Sequence, residues 1–320
     1  MITKQLTPQQ IINQTSLVGR WTIKSVHQTD TLYSTNLGST IKFNLVNSTQ
    51  LGVDFFNNGN PFGPSQTIAV RIDQQQWQRF MTNQMPAIIN LSRDRHTIEL
   101  MLVGNSDLDG VWTEKQGFAL KSFAIDQSAT ITPTPLARPV TFIGDSITSG
   151  CWINGHHASF DYAAEANYVS ICADQLNLDA GRISYSAAGI LKPGTGGVPN
   201  AFDFLDHIDA TSPWQPPATA AIVINIGVND RRFDRSVFAQ ALPAFIQQVN
   251  QLFFAAPIKL MIPFSQTFAP IFRTTATKFN NIQLIETKNW HLSYTDGLHP
   301  DAKGSQIAGN ELARVLRTLT

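Results

Sequence analysis

Three residues of this chain, Ser146, His299 and Asp296, have the types and the setting that one reaction requires. Ser146 stands in Thr141-Phe142-Ile143-Gly144-Asp145-Ser146-Ile147-Thr148, an apolar strand running into a Gly-Asp-Ser turn. Asp296 and His299 share Asp296-Gly297-Leu298-His299-Pro300 near the end of the chain. A histidine can take the proton of a serine hydroxyl, and a carboxylate can orient the imidazole; together they make the hydroxyl an acyl acceptor. Each residue also has a bland alternative. Ser146 would serve as a helix N-cap, and Asp296 and His299 as solvated loop residues. Two further segments shift the balance. Asn229, in Ile226-Gly227-Val228-Asn229-Asp230, follows the most apolar strand and offers an amide donor suited to an oxyanion. Gly189, in Ser186-Ala187-Ala188-Gly189, lets a backbone N–H come close to a ligand. An asparagine capping a turn and a plain tight turn are their alternatives. All four segments in this order, each after a strand, favour the catalytic reading.

The elements that must position these residues fall into two groups. Up to about Asp126 the pattern is all-β. Ser39–Val46, Ile68–Asp73 and His96–Val103 alternate apolar and polar residues, which means half-buried strands. Asn57-Asn58-Gly59-Asn60-Pro61 and Gly104-Asn105-Ser106-Asp107 carry turn chemistry between them. With no convincing helical stretch, a β-sandwich is expected over residues 1–127. Ser128-Ala129-Thr130-Ile131-Thr132-Pro133-Thr134-Pro135 alternates two prolines and reads as an extended linker, 128–138. From 139 to 320, short apolar runs at Val140–Ile143, Ile183–Tyr185, Ala220–Ile226, Lys259–Pro263 and Ile282–Ile285 alternate with amphipathic stretches. Those stretches are Tyr162–Leu176, Val237–Phe254, with Pro243 marking its first turn or a kink, and Lys303–Leu319. Alternating β and α elements predict an α/β domain with a parallel sheet covered on both faces. Its active residues belong in loops at the carboxyl ends of the strands.

Composition narrows the function. The 320 residues are 42% hydrophobic and only 14% charged, with a formal net charge of +0. That balance gives no electrostatic case for nucleic acid or an anionic membrane surface. No apolar run approaches the ~18 residues of a spanning helix. The opening Met1-Ile2-Thr3-Lys4-Gln5-Leu6-Thr7 lacks the profile of a signal peptide, so a cytoplasmic location is expected. Cys151 and Cys172 are too few for a disulfide framework or a zinc cluster and read as small buried hydrophobes.

The four segments resemble the four blocks of the SGNH hydrolases, the GDSL-type esterases and lipases. Gly144-Asp145-Ser146-Ile147 looks like the first block, Gly189 the second, with Gly194 its competitor, Gly227-Val228-Asn229-Asp230 the third and Asp296-Gly297-Leu298-His299 the last. The resemblance covers about Pro139 to Thr320 and implies a three-layer α/β/α, flavodoxin-like domain. It implies Ser146 as nucleophile, His299 as general base and Asp296 as its orienting acid. The oxyanion hole would combine the Ser146 and Gly189 N–H groups with the Asn229 side chain. A β-sandwich, jelly-roll-like, ahead of such a domain is similar to the family-2 carbohydrate esterases, which remove acetyl groups from sugars. Gly19-Arg20-Trp21, Ser39-Thr40-Ile41-Lys42-Phe43, Ile72-Asp73 and Leu91–Leu100 are the segments that fit. Some members of that group orient the histidine with a backbone carbonyl; with Asp296 present, a full triad is expected.

The expected activity is hydrolysis of a short acyl ester, acetyl foremost, on a small-molecule or oligosaccharide alcohol, with no metal or organic cofactor. Trp152 and Trp290 are candidate substrate-binding residues, each with core packing as the alternative. Adjacent His156 and His157 point apart, which disfavours a metal site. Arg231 and Arg232 read as solvated charge, and Trp21, Trp77 and Trp112 as core or a sugar platform. Two rival readings are a lipase- or thioesterase-like enzyme for longer acyl chains, and a glycan-binding protein with an idle catalytic domain.

Overall fold

The computed structural model describes residues 3–317. Two six-stranded antiparallel sheets form the first part. The expected strands stand as Thr40–Val46, Thr67–Ile72 and Arg95–Gly104. Their inward residues, among them Ile41, Phe43, Val70 and Leu100, meet Leu51, Val53, Leu120 and Phe123 of the facing sheet in one core. The Phe43 and Phe123 ring centroids lie 5.3 Å apart across it. Two expectations are corrected. A helix, Pro8–Gln14, follows the first strand, Thr3–Leu6, started by a capping box between Thr7 and Gln10 and by a proline in its first turn. Within the expected linker, Thr130–Pro133 is an edge strand paired antiparallel with Thr40–Val46. The prolines are tolerated because only one side of an edge strand must hydrogen-bond.

The second part is built on a five-stranded parallel sheet. Its spatial order is Asp179–Ser184, Pro139–Gly144, Ala221–Asn225, Ile258–Met261, Ile282–Ile285. Successive side chains point to opposite faces, and the strands divide accordingly between two cores. Ile143, Ile222, Ile224 and Leu260 pack with Phe238, Leu242 and Phe245 of the helix Arg235–Leu252. Phe142, Val223 and Met261 pack with Val169 and Cys172 of Tyr168–Leu176 and with Leu312 and Leu316 of Ala302–Arg317. Pro243 lies inside its helix rather than in the first turn. The last helix agrees with its expected span up to Arg317; Leu319 lies outside the described residues. A short helix, Ala269–Ala276, was not anticipated.

The two parts share a polar seam. The buried Arg20 guanidinium donates to the carbonyls of Phe204 and His207, to the Tyr185 hydroxyl and to Asn36 Oδ1. Ion pairs Lys42–Asp179 (2.9 Å), Arg71–Asp174 (3.0 Å) and Arg79–Glu165 (2.6 Å) also cross it.

Candidate active site

The strand Pro139–Gly144 delivers Ser146 to the carboxyl edge of the sheet, as the first residue of the one-turn helix Ser146–Ser149. Asp145 caps that helix, accepting the Ile147 N–H at 3.0 Å. Gly144 is required by contact: a β-carbon there would fall 2.0 Å from Thr148 Oγ1 and 2.8 Å from the Asn225 carbonyl. At the far end of the turn, the buried Arg182 donates to the carbonyls of Thr148 and Ser149, and to Ala164 O and Ser170 Oγ. Two helix-terminal carbonyls that the turn cannot satisfy are thereby paired.

The other half of the site is one tight turn. Asp296 Oδ1 accepts the Leu298 and His299 N–H groups at 2.9 and 2.7 Å, while its Oδ2 accepts from His299 Nδ1 at 2.8 Å. His299 Nε2 lies 2.8 Å from Ser146 Oγ. Ser146 is 4% and His299 8% exposed, so the bond joining them is shielded from water. Partial burial pushes the Asp296 carboxyl up, but the amide and imidazole of His299 and the amide of Leu298 outweigh it and hold the group below the usual range. Asp296 therefore stays ionised and can stabilise an imidazolium.

Asn229 and Gly189 meet in a neighbouring loop. Asn229 Nδ2 donates one hydrogen to the Ala188 carbonyl at 2.9 Å, leaving its second amide hydrogen for a substrate. Gly189 departs from expectation: its N–H donates to Lys192 O at 2.8 Å. The cause is Asp230, a buried carboxylate that accepts the amides of Ile190, Leu191 and Lys192 at 2.8–3.0 Å and folds the loop back on itself. A β-carbon on Gly189 would fall 2.3 Å from Asp230 Oδ1, so glycine is here for the carboxylate's approach. The competitor Gly194 has its N–H on Val198 O. The Ser146 N–H stands at the first position of its helix, where an N–H has no intrahelical acceptor.

Trp152 lies against His299 with ring centroids 5.9 Å apart and planes at 21°, and its carbonyl accepts from Thr295 Oγ1 at 2.6 Å. It holds and covers the histidine. Trp290, a candidate for substrate binding with core packing as its alternative, is 7% exposed and packs on Phe264, which is the core alternative. Arg231 and Arg232 are exposed. Trp112 edges onto Tyr185, and Trp21 and Trp77 pack against the sandwich core. His157 pairs with Asp161, and His156 edges onto Trp152. Among the described residues no three His, Cys, Asp or Glu side chains gather as a metal site, and no helix is long and apolar enough to cross a membrane.

Sequence reasoning missed Asp145, Asp230 and Arg182 as site-building residues. The first two stand inside the recognised segments, beside residues that drew the attention. Arg182 had a signal of its own, a lone cation in a strand that burial makes apolar. Burial pushes Asp145 up to about 7, against the pull of the Ile147 amide and with the Asp230 charge adding to it.

Residues 142–307 match the model of the GDSL-like lipase/acylhydrolase family, more than half of the chain. A stretch of 134 residues is 32% identical to the cellulase/esterase CelE of Acetivibrio thermocellus. That match covers 37% of this chain and 16% of CelE, so the chain spans about a sixth of that relative. A family two carbohydrate esterase from Cellvibrio japonicus superposes with a TM-score of 0.79 at 16% identity, over 100% of this chain and 99% of that one. A family two carbohydrate esterase from Clostridium thermocellum, in complex with cellohexaose, does so with 0.77 at 18% identity, over 95% and 98%. The fold of both parts is thus shared with these enzymes, and by its matched core, which contains Ser146 and His299, the chain belongs to the GDSL-like lipase/acylhydrolase family.

Proposed function

We propose that the protein is a serine esterase that hydrolyses short-chain acyl esters, acetyl foremost, on carbohydrate. The observation that carries this reading is the unbroken line Asp296 Oδ2–His299 Nδ1, His299 Nε2–Ser146 Oγ, both links 2.8 Å. Ser146 Oγ attacks the ester carbonyl while His299 Nε2 takes its proton. The Ser146 N–H and the second amide hydrogen of Asn229 stabilise the oxyanion of the tetrahedral intermediate. Its collapse expels the alcohol, which receives the proton from His299, and leaves acyl-Ser146. Water, deprotonated by His299, then attacks the acyl group; the bond to Ser146 Oγ breaks, Oγ takes the proton back from His299, and the acid is released. Asp296 keeps the Nδ1 proton in place and offsets the transient imidazolium charge. The chemistry needs no metal or organic cofactor. Support for a carbohydrate alcohol comes from the two-part architecture, shared along almost the whole chain with the two carbohydrate esterases above.

The test is a 4-nitrophenyl ester series from acetate upward, followed by acetylated sugars, with Ser146→Ala as control. Turnover highest on acetate, extended to acetylated sugars and reduced at least ~10³-fold in the variant is expected. Preference for long acyl chains would replace the reading with a lipase-like one, and activity surviving the substitution would overturn the mechanism.

A further inference from the structure

Resting on the carbohydrate-ester reading, we propose that Asp107, a residue of the β-sandwich part, is a specificity-determining residue that accepts hydrogen bonds from hydroxyl groups of the substrate's alcohol portion. Asp107 lies in the turn after the strand Arg95–Gly104. Its Oδ2 accepts from the Tyr162 hydroxyl, and its Oδ1 from Thr195 Oγ1, both at 3.3 Å. Tyr162 leans on Trp152, ring centroids 6.3 Å apart, and Trp152 lies on His299. On the other side, Thr195 donates its N–H to the carbonyl of Ser186, where the turn that carries Ala188 and Gly189 begins. One carboxylate from the sandwich thus stands between Tyr162, which backs the Trp152 that lies on His299, and Thr195, which is tied to the turn whose Ala188 carbonyl accepts from Asn229.

Its bonding is unfinished. A carboxylate can accept about four hydrogen bonds; Asp107 has two, both long and from neutral hydroxyls, and no Lys, Arg or His among the described residues pairs with it. The side chain is partly exposed. Hydroxyl donors to a carboxylate make short, charge-assisted bonds, and neighbouring hydroxyls on a sugar ring present two such donors together. Its chain neighbour Leu108 is 63% exposed. The same charge works against other substrates. A long acyl chain laid on it would desolvate an unpaired carboxylate, and an acidic alcohol would be repelled.

The experiment compares kcat/KM on an acetylated disaccharide with kcat/KM on 4-nitrophenyl acetate, in the wild type and in Asp107→Ala, Asp107→Asn and Thr195→Val. The sugar-to-nitrophenyl ratio is expected to fall about tenfold or more in Asp107→Ala, through KM for the sugar, consistent with loss of charge-assisted hydrogen bonds. Asp107→Asn, which keeps one acceptor oxygen and the residue's size, falls between and serves if the alanine variant does not fold. Thr195→Val removes a tie to the loop but leaves the carboxylate, and the ratio is expected to hold. An equal loss on both substrates in Asp107→Ala, or a fall in Thr195→Val as large as in Asp107→Ala, would show a loop tie and overturn the proposal. A sugar preference that survives intact in both Asp107 variants overturns this proposal alone. A wild type active on 4-nitrophenyl acetate through Ser146 but on no acetylated sugar overturns the carbohydrate reading, and this one with it.

Discussion

Asp296 uses its two oxygens for different ends. Oδ1 binds the amides of its own turn, which fixes the carboxylate; Oδ2 is thereby aimed at His299 Nδ1. Asp296→Asn keeps the size and the turn but places an N–H or a neutral carbonyl opposite Nδ1, so the imidazole loses both its tautomer and its counter-charge. We expect kcat on 4-nitrophenyl acetate to fall on the order of 10³-fold with KM little changed, measured by steady-state kinetics. A loss under tenfold would mean that the acid does not orient the base. The meeting of Ser146, His299 and Asp296 was legible in the sequence because a serine, a histidine and an acid in loops after strands have few other reasons to coincide. Trp290 was left open between ligand and core because an indole near an active loop reads alike whether it faces a ligand or Phe264. The Gly189 N–H was misassigned for a different reason: three amides converging on the distant Asp230 carboxylate turn it, and no local pattern records that.

The element that most needs support is the one-turn helix Ser146–Ser149, which carries the proposed nucleophile. It is too short to hold itself, and the support comes from Arg182 of the adjacent strand. Arg182 is in turn pressed by the sandwich. Gly38 has φ +82°, and a β-carbon there would fall 2.4 Å from Arg182 Nε. Gly38→Ala therefore combines left-handed strain with overpacking against a buried cation. We expect a loss of about 2–4 kcal/mol in urea denaturation and a fall in kcat larger than any rise in KM, since the displaced group is the prop of the nucleophile. Unchanged kcat in a folded variant would detach Arg182 from catalysis. The strands of the parallel sheet were legible to within a few residues at each end, because apolar runs with turn residues at both ends announce themselves. The helix Pro8–Gln14 was not: seven residues flanked by strands hold two turns, too little for periodicity to show. The edge strand Thr130–Pro133 hid behind its closing proline and Pro135 just beyond, which local pattern ties to linkers.

At the scale of the whole molecule, buried acids set the response to pH. Burial raises Asp145 to about 7 and Asp109 to about 6, and raises Glu165 and Asp230 as well. Each holds a proton more tightly folded than unfolded, so between about pH 4 and 7 the folded chain carries more protons and stability falls as pH rises. Asp209 and Asp296 are lowered; what they contribute is present above the ordinary carboxylate range and is lost only as pH drops through their own, lower values. The thermal midpoint is therefore expected to be lower at pH 8 than at pH 5, with a smaller difference in Asp145→Asn; calorimetry showing a flat or rising midpoint over that interval would refute it. The division into a sandwich and a parallel-sheet part was plain from the change of period, whereas their joining was not, because its bonds run between residues such as Arg20 and Phe204, more than a hundred positions apart. That joining bears on how such enzymes diversify. On the reading proposed above, bond-breaking falls to Ser146, His299 and Asp296 on one part, and choice of alcohol to Asp107 on the other. Reactivity and taste would then have separate addresses, and a lineage could exchange one surface turn of the sandwich for another and acquire a new substrate while its triad stays untouched.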